Sequence, residues 1–156
     1  MNRILRGKQL GDLAEYRVTT TLLERGLDVL QPIGDRLPYD VSVSWYRRNI
    51  RLQVRTAFPR RGYYCLLAVR PSDRQILQPH DCDFVVAHVA ELGINYVIPI
   101  LAVTAKEITF RPGNPDQKYE KFRDAWHLVE ALLGTRDEAM QAFTFETAPG
   151  DALAPI

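Results

Sequence analysis

Leu37-Pro38-Tyr39-Asp40 and Arg51-Leu52-Gln53-Val54-Arg55 lie on two neighbouring runs that together set the architecture of this chain. The first puts an acid at the start of an alternating run, Tyr39 to Tyr46. In it Val41, Val43 and Trp45 fall on one side and Asp40, Ser42 and Ser44 on the other. The second lies in a run from Ile50 to Phe58, with Ile50, Leu52, Val54 and Thr56 on one side and Arg51, Gln53 and Arg55 on the other. Period-two alternation of this kind predicts β-strands. With Arg47-Arg48-Asn49 as the turn, the two strands form an antiparallel hairpin. That brings Asp40 near Gln53, thirteen residues later, and points Gln53 and Arg55 to the same side. A carboxylate and a side-chain amide beside a fixed cation form the layout of a divalent-metal site with a positive neighbour. The basic residue of the triplet is Arg55, not a lysine.

Outward from the hairpin, Leu10, Leu13, Ala14, Val18, Leu22 and Leu23 recur at three- and four-residue spacing and predict a helix over 8–25, with Gly26 as its stop. Leu27-Asp28-Val29-Leu30 reads as a short strand running into the turn Gln31-Pro32-Ile33-Gly34-Asp35. Pro59-Arg60-Arg61-Gly62 is a second turn, followed by an apolar strand from Tyr63 to Val69 and a polar loop from Arg70 to His80. Phe84 to Val89 and Tyr96 to Ile100 are further strands, and a stripe of Tyr119, Phe122, Trp126, Val129 and Leu133 predicts a second helix over 116–133. The order helix, strand run, helix indicates an α+β (α/β-like) domain with a central mixed sheet flanked by helices. The expectation is a single domain over 1–146 and a loose, Ala/Pro/Gly-rich tail over 147–156.

A chain of 156 residues, 46% hydrophobic and 25% charged, can bury a sizeable core and is not composed like a disordered segment. No apolar run approaches the ~20 residues that span a bilayer, and Met1 to Arg6 is too short in its apolar part for a secretory signal. Cys65 and Cys82 sit in strand-like runs and read as reduced core thiols of a cytoplasmic protein. The net charge of +1 hides an asymmetry: residues 1–75 hold 14 Lys and Arg against 7 Asp and Glu, and residues 76–156 hold 6 against 12. Arg47, Arg48, Arg51, Arg55, Arg60 and Arg61 crowd into one short segment. That cluster reads either as the footprint of a polyanion partner or as a solvated hairpin in a chain with sixteen Arg and four Lys.

Glu15 lies at the edge of the apolar stripe of the first helix, where a carboxylate either reaches solvent or must meet a cation, a metal or donors. Taken together, Gly11-x-x-x-Glu15, Pro38-Tyr39-Asp40, Gln53-Val54-Arg55, the Asp81-x-Asp83-Phe84 strand start and the aromatic-rich final helix resemble the PD-(D/E)XK nuclease superfamily. The resemblance covers about Gly11 to Trp126. It is closest to bacterial intron homing endonucleases of that type and their short relatives, with archaeal Holliday-junction resolvases a step further off.

The resemblance implies a restriction-endonuclease-like core and a metal-dependent DNA endonuclease that hydrolyses phosphodiester bonds. Asp40 would be the principal metal ligand, Gln53 would add a side-chain oxygen, the Val54 carbonyl would complete the shell, and Glu15 would contribute directly or through water. Magnesium suits such a set, with manganese as a substitute. The position after Val54 is where the family carries a lysine; Arg55 stays protonated and cannot serve as a base, yet it can stabilise charge on a phosphate. Three explanations stand side by side: electrostatic work by Arg55 in an active enzyme, DNA binding with little or no cleavage, and an engineered change that silences an active parent. A Holliday-junction-resolvase-like, structure-specific nuclease is the remaining alternative. Lys8 is the lysine least remote from the site. Arg3, Arg6, Lys8, Arg47, Arg48, Arg51, Arg60 and Arg61 are the candidate phosphate contacts to double-stranded or branched DNA. Cutting both strands requires two active sites, so a homodimer or homotetramer is expected.

The run His80-Asp81-Cys82-Asp83, with His88 added, lacks the paired spacing of a metal cluster and reads better as a turn leading into a strand. Trp45, Tyr46, Phe58, Tyr63 and Tyr64 flank the arginines, a pattern that serves either base stacking or an apolar sheet face.

Overall fold

The computed structural model describes residues 6–46, 48–135, 137 and 138. Arg3, Arg47, the expected boundary at 146 and the tail over 147–156 lie outside the described residues.

Helix α1 (Gly7–Glu24) buries Ala14, Val18 and Leu22 along one stripe. The Gln9 side chain accepts the otherwise unpaired N–H of Arg6 at 3.0 Å, satisfying one of the donors that a helix start leaves open. The helix stops at Gly26, whose φ of 74° is left-handed. There the N–H groups of Gly26 and Leu27 turn back onto the carbonyls of Leu23 and Leu22, at 2.9 and 3.2 Å, in the pattern of a Schellman stop.

Strands β1 (Asp28–Leu30), β2 (Val41–Trp45), β3 (Arg48–Thr56), β6 (Phe84–Val89) and β7 (Ile94–Pro99) form one sheet in the order β1-β2-β3-β6-β7. Only β3 and β6 run parallel within it; β1–β2, β2–β3 and β6–β7 are antiparallel. A second, smaller sheet has the order β4-β5-β8, from Phe58–Arg60, Tyr63–Leu67 and Glu107–Phe110. The chain passes from the first sheet into the second at Ala57, whose N–H still donates to the His88 carbonyl at 2.9 Å.

Alternation along the central strands feeds two cores. Leu52, Val54, Phe84, Val86 and Val97 pack with Ala14, Val18 and Leu22 of α1 and with Trp126, Val129 and Leu133. Val85, Ala87, Tyr96 and Ile98 face the other way, against Leu66, Ile108 and Phe110 of the small sheet. Strand β6 is therefore buried along its whole length, as a strand covered on both faces must be. Among the described residues no helix is long and apolar enough to cross a membrane.

Four expectations are corrected here; two are turns that shrink, since Arg48 and Asn49 already pair in β3 and Pro59 and Arg60 pair in β4. The single helix over 116–133 is instead a 3-10 turn, Glu120–Phe122, and a short helix α2, His127–Leu133. Between them Asp124 takes a left-handed φ of 45°. Its N–H donates to the Asn95 carbonyl at 2.6 Å, its carboxylate accepts the Asn95 N–H at 2.9 Å, and Arg123 bridges Tyr96. The segment thus covers the open edge of β7, and unpaired edge groups outweigh helix propensity. The apolar stripe is split accordingly: Tyr119 enters one core, and Trp126, Val129 and Leu133 enter the other. Strand β8 was not expected, although Glu107-Ile108-Thr109-Phe110 alternates exposed and buried.

Arg51 holds the start of β6. Its Nε and Nη2 donate to the two Asp83 carboxylate oxygens at 3.1 and 3.2 Å. Its Nη1 and Nη2 also donate to the carbonyls of His80 and Pro79 at 2.8 and 2.9 Å. Arg48 donates to the Leu132 and Leu133 carbonyls at the end of α2, at 3.4 and 3.0 Å. Replacing Arg51 with alanine leaves Asp83 and two carbonyls without these donors, and the expected cost is about 2 kcal/mol. Exposed Arg61 has no such role, and Arg61→Ala should stay within about 0.5 kcal/mol of wild type in urea denaturation. Equal midpoints for the two variants would refute this role for Arg51.

Candidate active site

Hairpin register builds the site. Val41 pairs with Leu52 and Trp45 with Arg48, and the Asp40 N–H donates to the Leu52 carbonyl at 3.0 Å. Asp40 thus sits one residue before β2, and its carboxylate reaches across to Gln53 and Val54 of the facing strand. The Val54 N–H donates to Asp40 Oδ2 at 2.8 Å, and the buried Gln53 amide donates to the same oxygen. Gln53 Nε2 also lies 3.5 Å from the Val54 carbonyl oxygen.

Glu15 comes to the same place from α1. Asp40, Glu15, Gln53 and Arg55 line one cleft of about 640 Å³, together with Lys8, Asp12, Tyr16, Asp35, Tyr39 and Pro71. Burial pushes the Asp40 carboxyl above the usual range, against the opposing pull of the Val54 N–H and the Arg55 guanidinium. Glu15 is pushed up to about 7, first by burial and then by the negative charges of Asp40 and Asp12, with Arg55 acting in the opposite sense. One guanidinium does not neutralise the acidic charge gathered here.

The donors all carry oxygen: two carboxylates of raised proton affinity, a side-chain amide and a main-chain carbonyl. Such a set fits a hard divalent cation and not a soft metal. Among the described residues no three His, Cys, Asp or Glu side chains form a cage, so a cation held here by Asp40 and Glu15 would need Gln53 and the Val54 carbonyl besides. Turning the Gln53 amide to present Oε1 would set two acceptors against each other. A cation between them makes that arrangement favourable.

The basic residues divide. Lys8 lines the cleft and Arg55 forms part of its wall, with Nη2 at 3.4 Å from the Val69 carbonyl oxygen. Arg60 lines a neighbouring groove; Arg6 and Arg61 are exposed outside both. The Arg48 and Arg51 guanidiniums are held by internal partners, as described above. His80-Asp81-Cys82-Asp83 does not converge on a metal: Asp81 accepts the Gln78 N–H at 2.8 Å, and burial pushes the Cys82 thiol up to about 12. His88 is buried elsewhere, between Asn95 at 2.9 Å and Arg17 at 3.1 Å. Cys65 and Cys82 are both free thiols. Asp12 and Asp35 were not anticipated as part of the site. For Asp12 the signal was present, since a residue three before Glu15 shares its helix face.

This fold, with an acidic oxygen-donor cleft at the mouth of the β2–β3 hairpin, defines a nuclease of the restriction-endonuclease-like class. A family model described as PD-(D/E)XK endonuclease matches residues 5–129, and the chain belongs to that family. The bacterial homing endonuclease I-Ssp6803I is similar in structure, with a TM-score of 0.74 and 28% identity over 86% of this chain and 99% of that one. The Holliday junction resolvase Hjc of Archaeoglobus fulgidus, at 12% identity, shares the fold with a TM-score of 0.53 over 78% of this chain and 96% of that one. No curated protein matches. Members of the family generally use divalent metal ions.

The raised Glu15 affinity has a stability consequence. Its folded pKa lies above the unfolded one, so its contribution is fully present below about 4.5 and is lost as pH climbs through about 7. Because the carboxyl is partly exposed, the expected effect is screened to about 1 kcal/mol, or about 3 °C in Tm. Thermal melts in chelator should show wild type losing that much relative to Glu15→Gln between pH 5 and pH 8. A difference that does not change with pH would refute the assignment.

Proposed function

We propose that the chain is a Mg²⁺-dependent DNA endonuclease that hydrolyses phosphodiester bonds in the manner of a homing endonuclease, with Mn²⁺ able to substitute. The observation that carries this reading is the convergence of Asp40, Glu15, Gln53 and Arg55 in one cleft. Asp40, Gln53 and the Val54 carbonyl would hold the metal, with Glu15 acting directly or through water. When bound, such an ion neutralises charge on the scissile phosphate and makes a coordinated water more acidic.

The residues themselves supply positioning and charge. The Val54 N–H fixes Asp40 Oδ2, so the carboxylate presents its other oxygen to the cleft. Arg55 keeps its charge through the reaction and can hold a phosphate oxygen in its fork, stabilising negative charge as the phosphorus becomes five-coordinate. It cannot accept a proton. Among the cleft groups, Glu15 has a proton affinity near neutrality, so Glu15 Oε is the place where a proton from water can be held.

Exposed Arg6, Lys8, Arg60 and Arg61 are the proposed phosphate contacts, with Arg3 and Arg47 added on their sequence alone. Arg48 and Arg51 contribute through the hairpin they hold in place. Two active sites are needed to cut a duplex, which supports a homodimer or homotetramer.

A second reading is favoured by Arg55: a DNA-binding relative that cleaves little, because the family lysine is replaced. Incubation of supercoiled plasmid and branched DNA with Mg²⁺ or Mn²⁺ separates the two. Wild type should nick or linearise, Asp40→Ala should lose at least about 100-fold, and Arg55→Lys should remain active. Cleavage by Arg55→Lys alone would establish the second reading. Cleavage by Asp40→Ala at the wild-type rate would overturn the site.

A further inference from the structure

The small sheet turns an unusual face to solvent. β4 and β5 pair Phe58 with Cys65, and β5 and β8 pair Leu67 with Glu107. The opposite face sends Leu66, Ile108 and Phe110 into the core. The outer face is only partly covered, yet it is apolar at its centre: beside the buried Cys65, Phe58 is 46% and Leu67 45% exposed. These residues floor a groove of about 480 Å³.

Its rim is cationic. Arg55, Arg60 and Arg74 line the groove against the single acid Glu107. Arg74 sits on a tight loop closed by the Val69–Ile76 bridge. Arg70 of that loop is neutralised by Asp73, with Nη2 to Oδ2 at 2.9 Å. Neither Arg60 nor Arg74 has a side-chain hydrogen bond or ion pair among the described residues. Arg55 and Pro71 belong both to this groove and to the catalytic cleft. A strand bound at Asp40 and leaving past Pro71 would therefore run onto this floor.

We propose that the groove is a subsite for one unpaired nucleotide beside the scissile phosphate, its base lying on Phe58 and Leu67 and its phosphate held by Arg74 and Arg55. This rests on the nuclease reading of the cleft and narrows its substrate to DNA that offers, or yields, an unstacked base. A paired base is stacked inside the duplex and has no use for an apolar floor; an unpaired one gains by covering its face. Arginines alone would serve any phosphate track, so the apolar floor makes the distinction. A second copy of the chain is a poorer occupant. Pro59 removes a donor from the edge strand β4, and like charges line the rim.

The test measures binding in chelator, by fluorescence anisotropy, to a matched duplex and to the same duplex carrying one unpaired nucleotide. Wild type should bind the second at least about fivefold more tightly. Phe58→Ala, at an exposed position, should lose that preference and keep its affinity for the matched duplex within about twofold. Arg74→Gly, which suits the left-handed φ of 59° at that residue, should lower the salt slope by about one for the unpaired substrate. Equal affinity for the two DNAs, or a preference that survives Phe58→Ala, overturns the subsite and leaves the nuclease reading standing. Salt-independent, weak binding to both DNAs overturns the two together.

Discussion

A carboxylate drawn out of water at the mouth of a hairpin is the constraint from which the site follows. Asp40 is held by the Val54 N–H and the Gln53 amide, both on the facing strand. Those bonds tie the start of β2 to β3 and leave a buried charge incompletely compensated. Helix α1 then brings Glu15 and Asp12 to the same cleft, which raises the cost of the ionised state further. A hydrophobic core does not explain such a gathering of acids, since like charges brought together and desolvated oppose folding. A divalent cation does explain it.

Arg55 gives the cleft its particular character. A lysine at that position could shift its proton affinity and share in activating water; a guanidinium holds its charge at every relevant pH. In the proposed reaction electrostatic support and proton transfer would therefore divide between residues, with Arg55 carrying the charge and Glu15, near neutrality, able to carry the proton. Arg55 also stands on the boundary between the cleft and the arginine-rimmed groove of the small sheet, so in the proposed complex one side chain would reach both the reacting phosphate and the strand beyond it.

The hairpin was legible in the sequence because alternation is local: the faces of β2 and β3 follow from Val41, Val43, Leu52 and Val54 alone. Helix α1 was equally legible from its apolar period and Gly26. What stayed hidden depends on partners far along the chain. Nothing near Arg51 announces that Asp83 and two carbonyls will occupy its guanidinium, so it read as a phosphate contact. The stripe from Tyr119 to Leu133 read as one helix because its apolar residues keep helical spacing; Asp124 breaks it to pair with Asn95 at the edge of β7. Asp35 reaches the cleft through a loop whose path no periodicity encodes. The residues that converge in the cleft, Glu15, Asp40, Gln53 and Arg55, could thus be named from sequence, while the division of arginines between internal partners and the cleft needed the tertiary structure.

Whether the Asp40 cleft holds a divalent cation is decided by calorimetric titration with Mn²⁺ in the absence of DNA. One ion should bind per chain, with proton release at pH 6.5 that fades by pH 8 as Glu15 ionises. Binding should be lost in Asp40→Ala. Unchanged binding in Asp40→Ala, or no binding by the wild-type chain, would contradict the cation site.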